Sequence, residues 1–249
     1  MSNSEEPSQV VDARVAASVR EALGAEPCLE ADAASIVLAF EAGALVMEGV
    51  VADVSAKKLA LEIAAAVPEV SGIVDRLRTR PAREMEDDEV RRLVVDAMLQ
   101  EPAFGDLAIR ERVGARCDAV REPPATRAGA IEVAVTDGVV HLDGQVPGLD
   151  YKRLAGLLAW WVPGSRDVIN GMAVDPEEED NEGAIADAVR TALEKDPFVD
   201  AGQIRIDVVD AVVTLHGYVR SPEERDMAEF DGWCIFAVDR VVNRIEVAG

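Results

Sequence analysis

The chain has 249 residues, 49 % of them hydrophobic, and a formal net charge of −23. The apolar share is enough for real cores and excludes a chain disordered throughout. The charge excludes nucleic acid, whose phosphates would be repelled, and opposes unassisted binding to an anionic membrane.

The first nine residues are polar and acidic, and 1–9 are expected to be disordered with no signal peptide. No apolar window approaches the length of a membrane span. The expected location is therefore the cytoplasm, with membrane association as the alternative. Cys28, Cys117 and Cys234 are widely spaced and form no CxxC pair, which predicts three reduced thiols.

The first repeat, 10–80, opens with a helix whose apolar stripe is Val15, Val19, Ala22 and Leu23. It stops at Glu26-Pro27, because proline disfavours the helical conformation of the residue before it. A hairpin follows: the strand Ile36–Phe40, a turn at Ala42-Gly43, and a second strand with Leu45 and Met47 inward. Gly49 ends that strand and predicts a bulge or a close helix approach. A second helix is expected from an N-cap at Ser55, and a last strand from Ile73.

The second repeat, 84–175, repeats the pattern: Val90, Val94, Ala97 and Met98, then Glu101-Pro102. Its turn is Asp137-Gly138, a strong type I′ signal, and Val140 and Leu142 point inward before Gly144. Asp150 is the expected N-cap and Val168 opens the last strand. The acidic segment Asp175–Asp180 is expected to be an extended, solvated link, its linker bounds being 176–181. Its spacing does not match a calcium loop. The third repeat, 182–249, has Ile185, Val189, Ala192 and Leu193, then Asp196-Pro197, Asp210-Ala211 at the turn, Gly217, and Ser221-Pro222 opening its second helix.

Ile36–Leu77, Ile131–Met172 and Ile204–Ile245 superimpose without a gap over 42 residues, at offsets of 95 and 73. Repetition at a fixed pattern settles the architecture ahead of local propensity. The fold class is α+β: three tandem two-layer αββαβ units, each a three-stranded sheet with two helices on one face.

The second repeat is longer by 95 − 73 = 22 residues, within about 104–130. This insert reads as a short apolar piece (Leu107, Ile109, Val113) and a Pro123-Pro124 loop, docked on the neighbouring repeats or held out as a contact element. It carries Arg110, Arg112, Arg116, Arg121 and Arg127, an arginine-bearing island in an acidic chain.

The motifs Asp137–Val146, Val162-Pro-Gly164 and Asp167-Val-Ile-Asn170, with Val212–Val219 and Arg240-Val-Val-Asn243 in the third repeat, resemble the BON domain of bacterial osmotically inducible periplasmic and nodulation-related proteins. Glu48–Val51 and Asp75 carry it more loosely in the first. The resemblance implies a non-catalytic module tied to phospholipid surfaces or envelope assemblies, and in some relatives to potassium. One departure is Asp231, which stands where the other repeats have Ile63 and Leu158.

His141 and His216 lie in different repeats and do not converge, and no P-loop, GxGxxG, HExxH or GxSxG is present. No enzyme, metal site or cofactor is expected. Candidate contact residues come from three places, of which Arg110, Arg112 and Arg116 of the insert are one. Trp160, Trp161 and Trp233 all fall on second helices, and Trp160 lies about 200° from Leu158 around the helix. Leu157 and Phe230 share that side, so these five either meet a partner or pack between repeats. In the first repeat, Val37, Ala39 and Val46 give the sheet an apolar outer face. The sequence thus points to a binding or scaffold protein whose partner is another protein or a second copy. The alternatives are a phospholipid-surface binding protein and a potassium-responsive stress protein.

Overall fold

A computed structural model describes residues 6–122 and 129–248. The chain forms two units, Met1–Arg80 and Pro81–Gly249. No helix among the described residues is long and apolar enough to cross a membrane.

In the first unit, α1 (Glu6–Gly24) and α2 (Val54–Ala65) cover one face of a sheet ordered β1-β2-β3, from β1 (Val37–Glu41), β2 (Ala44–Val51) and β3 (Ile73–Thr79). The β1–β2 hairpin is antiparallel and β2–β3 parallel. Val15, Val19 and Leu23 of α1 meet Leu45, Met47 and Leu77 in one buried cluster. Full burial of each such side chain stabilises by about 1.5–3 kcal/mol. Helix α1 begins inside the segment expected to be disordered, and residues 1–5 lie outside the described ones.

The second unit holds the other two repeats. The second repeat runs α3 (Asp87–Gln100), β4 (Ala108–Val113), β5 (Arg116–Arg121), β6 (Ala130–Thr136), β7 (Val139–Val146), α4 (Leu149–Trp160), β8 (Asp167–Asn170) and β9 (Ala173–Val174). The third runs α5 (Glu182–Lys195), β10 (Ile204–Val209), β11 (Val212–Val219), α6 (Pro222–Cys234) and β12 (Arg240–Val247). Its sheet, β10-β11-β12, repeats the first. The αββαβ order thus recurs three times, as the sequence predicts.

The insert differs from expectation. It is a hairpin, β4–β5, that extends the second sheet to β5-β4-β6-β7-β8, with β4 parallel to β6. Burial falls along β4, from buried Ala108 and Ile109 to exposed Arg112 and Val113, so the strand is anchored at its start and carries no clean alternation that the sequence could show. Arg121 ties the hairpin down by donating to the carbonyls of Leu99, Phe104 and Leu107. The Pro123-Pro124 loop and Arg127 lie outside the described residues.

All three second helices start at aligned N-caps: Asp53, Gly148 and Ser221. Two of these lie two residues before the expected Ser55 and Asp150. Asp53 accepts from Ala56 N at 3.0 Å and Ser221 from Glu224 N at 3.2 Å. Gly148 has no side chain to cap with, so Glu178 of the acidic segment accepts from Leu149 N at 2.8 Å instead. Asp180 of the same segment pairs with Arg153, and Asp175 accepts from the Gln145 amide at 2.6 Å. The segment is pinned to the second repeat and is not an extended spacer; its acids serve as caps and counter-ions.

The acid of each later acid–proline pair also caps the turn after the helix: Glu101 accepts from Ala103 N at 3.1 Å and Asp196 from Phe198 N at 2.8 Å. Asn170 and Asn243 bind the last strand to the second helix through the carbonyls of Lys152 and Arg225, at 2.8 and 3.1 Å. In the first repeat Asp75 cannot donate, and the aligned Lys57 turns inward to pair with it at 2.9 Å.

Gly49, Gly144 and Gly217 have φ of +153°, +115° and +146°. A Cβ on Gly144 would sit 2.2 Å from the carbonyl oxygen of Ala130. The close approach comes from the neighbouring strand's backbone and not from a helix. Backbone cannot step aside cheaply, so Gly144→Val is expected to cost about 2–3 kcal/mol, as overpacking does. An unchanged urea midpoint for that variant would remove the steric reading.

The turns Ala42-Gly43, Asp137-Gly138 and Asp210-Ala211 all have two positive φ values, the type I′ geometry. Ala211, at φ +60°, is the residue least suited to it. Ala211→Gly is expected to raise stability by up to about 1 kcal/mol, read as a higher melting temperature. A lower one would show that the alanine conformation is not strained.

Candidate functional site

The described residues contain no group of three or more His, Cys, Asp or Glu arranged to hold a metal ion. His216 Nε2 lies 3.5 Å from Asp207, on the outer face of the third sheet, and His141 is on the second. The candidate contact residues lie on the first sheet, on the second helices and on the insert.

On the first sheet the outer face carries Val37, Ala39 and Val46, with Val46 paired to Ala39 on one side and Val74 on the other. Val37 is 64 % exposed, Ala39 is exposed and Val74 is 37 % exposed. Val46 departs from expectation: in the middle of the sheet it is only 2 % exposed and offers no open surface. Arg76 spans the edge of the patch, donating to both carboxylate oxygens of Glu41 at 3.0 and 2.9 Å. The face is therefore a small apolar strip with a paired, polar rim.

The aromatic residues sit differently. Helices α4, α5 and α6 pack together within the second unit. Leu157 is 1 % exposed and Trp233 5 % exposed, so neither is an open contact. Trp160, Trp161 and Phe230 are half-buried. Trp161 donates its indole N–H to Asp231 across the two repeats at 2.9 Å, and Lys195 pairs with Glu101 at 2.9 Å. Lys152 of the second repeat lies 5.3 Å above the Phe236 ring of the third. The side of the helix turned away from its own sheet is the side that docks the next repeat. The aligned residue of the first repeat, Ala65, is exposed.

Asp231, which the sequence singles out as a departure, is fully buried in this contact. Burial pushes its pKa up to about 8, and the nearby Asp196 carboxylate pushes the same way, against the Trp161 indole. At pH 7 it is largely neutral. Its carboxyl joins the third repeat to the second through the Trp161 indole, a contact its position in one repeat could not reveal.

Three arginines of the insert are paired with acids. Arg110 faces Glu122 at 3.3 Å, Arg112 pairs with Glu132, and Arg116 meets Asp118 at 2.6 Å. The hydrogen bond and charge of Glu132 hold the Arg112 pKa above its ordinary value. Such exposed pairs contribute little to stability, but they leave Arg110, Arg112 and Arg116 each with a carboxylate already beside it.

The fold and these surfaces define a tandem array of αββαβ modules. The BON domain family model matches residues 11–81, 105–176 and 181–249, and the chain belongs to the BON domain family. No curated protein matches the chain significantly. Among solved structures, the C-terminal domain of CdsD, the structural protein of the type III secretion system of Chlamydia trachomatis, aligns at 13 % identity over 94 % of this chain and 96 % of that one, with a TM-score of 0.25. A second structure of CdsD aligns at 13 % identity over 94 % and 92 %, with a TM-score of 0.24. Scores of that size carry no argument about fold or function.

Proposed function

We propose that this chain is a non-enzymatic binding or scaffold component that acts in a protein assembly through repeated interaction surfaces. The observation that supports it is the outer face of the first sheet, where Val37 and Val74 stand in solvent opposite a face buried under α1 and α2. Apolar side chains grouped inside a polar rim are the composition of a protein contact. The net charge of −23 favours a protein over an anionic lipid surface.

The test is capture from native lysate, read by mass spectrometry, with the full chain against Val37→Asp/Val74→Asp. The expected result is a partner retained by the parent chain and lost by the variant, with the melting temperature unchanged. Loss of nothing on substitution would remove this face. Flotation with lipid vesicles in place of protein capture would move the assignment to lipid binding. A thermal shift with potassium but not sodium at equal ionic strength would move it to a cation response.

A further inference from the structure

The second unit holds a cleft of about 680 Å³ between α4 and α5, where the second and third repeats meet. Its lining is mainly apolar, with Leu154, Leu157 and Ile235 at the floor and Ala184 and Ala188 along α5. The lining positions of α5 run from Ala184 to Lys195, about 16 Å at 1.5 Å per residue. Alanines spaced four apart on one helix leave room for a third helix to lie close, with its apolar side chains in the cleft.

The charges decide what kind of helix fits. The two cations of the lining are already matched: Arg153 by Asp180, and Lys195 by Glu101. Asp150, Glu179 and Asp187 line the same cleft, are exposed, and have no ion-pair partner among the described residues. The rim is thus net negative and complementary to a positive ligand. A second feature is independent of the acids. Arg153 is only 2 % exposed, yet its Nε has no hydrogen-bond partner among the described residues, a donor that a main-chain carbonyl at the end of a docked helix would satisfy and a lysine side chain would not.

We propose that the α4–α5 cleft docks a basic amphipathic helical segment of a partner protein. This rests on the protein-binding reading above and names the chemistry of one partner: leucine-like residues on the buried face, lysine or arginine flanking them. The apolar floor accounts for the first and the three unmatched carboxylates for the second.

Fluorescence anisotropy on the full chain tests it, with a labelled three-turn leucine–lysine helical peptide as probe and a leucine–glutamate peptide of the same pattern as control. The lysine peptide is expected to bind and the glutamate peptide not. Ala188→Trp, which fills the cleft, should weaken binding roughly tenfold, or about 1.4 kcal/mol. Asp150→Arg/Asp187→Arg alters only exposed rim positions and should do the same with the far-UV spectrum unchanged, so the test survives if the tryptophan variant fails to fold. Absence of binding overturns the proposal, and so does binding that the rim variant leaves intact, since that is diffuse attraction to an acidic chain. A lysate partner held equally by the parent chain and the rim variant would remove the cleft while leaving protein binding standing.

Discussion

Replacing Trp233 by alanine is expected to lower the stability of the second unit by roughly 3–5 kcal/mol, the usual cost of deleting a buried tryptophan. The ring is 5 % exposed on α6, among three packed helices from two repeats, and the surroundings can collapse only in part. Trp160→Ala at the aligned position should cost less, because that side chain is half-buried. Urea melts of residues 81–249 separate the two. A loss within about 0.5 kcal/mol for Trp233→Ala is the surface value, and it would return that residue to the list of open contacts.

The second large effect is a dependence on pH that one carboxyl imposes. Asp231 titrates at about 8 in the folded chain against an ordinary value of 3.8. Because the folded pKa is raised, the unfolded chain releases this proton first. The contribution is fully present below about pH 4 and is lost as pH rises through about 8. The loss runs at up to about 1.4 kcal/mol per pH unit within that window. Groups facing Asp231 are Asp196 at the end of α5 and the Trp161 indole that closes α4. Asp231→Asn keeps the shape and the carbonyl acceptor for Trp161 but cannot ionise. It is expected to flatten the profile and to be more stable than the parent at pH 8.5, with little difference at pH 4. Parallel pH profiles for the two proteins would show that the carboxyl is not held neutral.

Much of the architecture is written in local pattern. The acid–proline pairs stop α1, α3 and α5 because the constraint lies within two residues. Asp137-Gly138 specifies its turn for the same reason. The repeated Val or Ile positions on first helices identify the buried stripe, and Val15, Val19 and Leu23 lie on it. The family resemblance follows from the same residues, in register three times.

What the sequence did not disclose depends on contacts between distant segments. Strand β5 (Arg116–Arg121) sits at a sheet edge with most of its residues exposed, so it carries no alternation to read. The acidic segment after β9 looked like solvated linker because charge density says nothing of partners. Glu178 caps α4 only because Gly148 happens to lack a side chain there. The tryptophans are the sharpest instance. Periodicity places Trp160 away from Leu158, but it cannot say whether that outer side meets solvent, a partner or the next repeat. Asp231 was the available clue: an acid at a position that is Ile63 and Leu158 elsewhere signals a changed environment, and the Trp161 indole supplies it.

Fusion of the second and third repeats into one body, with the first repeat a unit of its own, is tested most directly by calorimetry of the full chain beside residues 1–80, 81–249 and 182–249. The expected result is two transitions in the full chain, reproduced by the first two fragments. The third fragment, stripped of Trp161 and left with Asp231 uncovered, should melt well below the unit it came from. Three transitions in the full chain, with 182–249 as stable alone as in place, would contradict it.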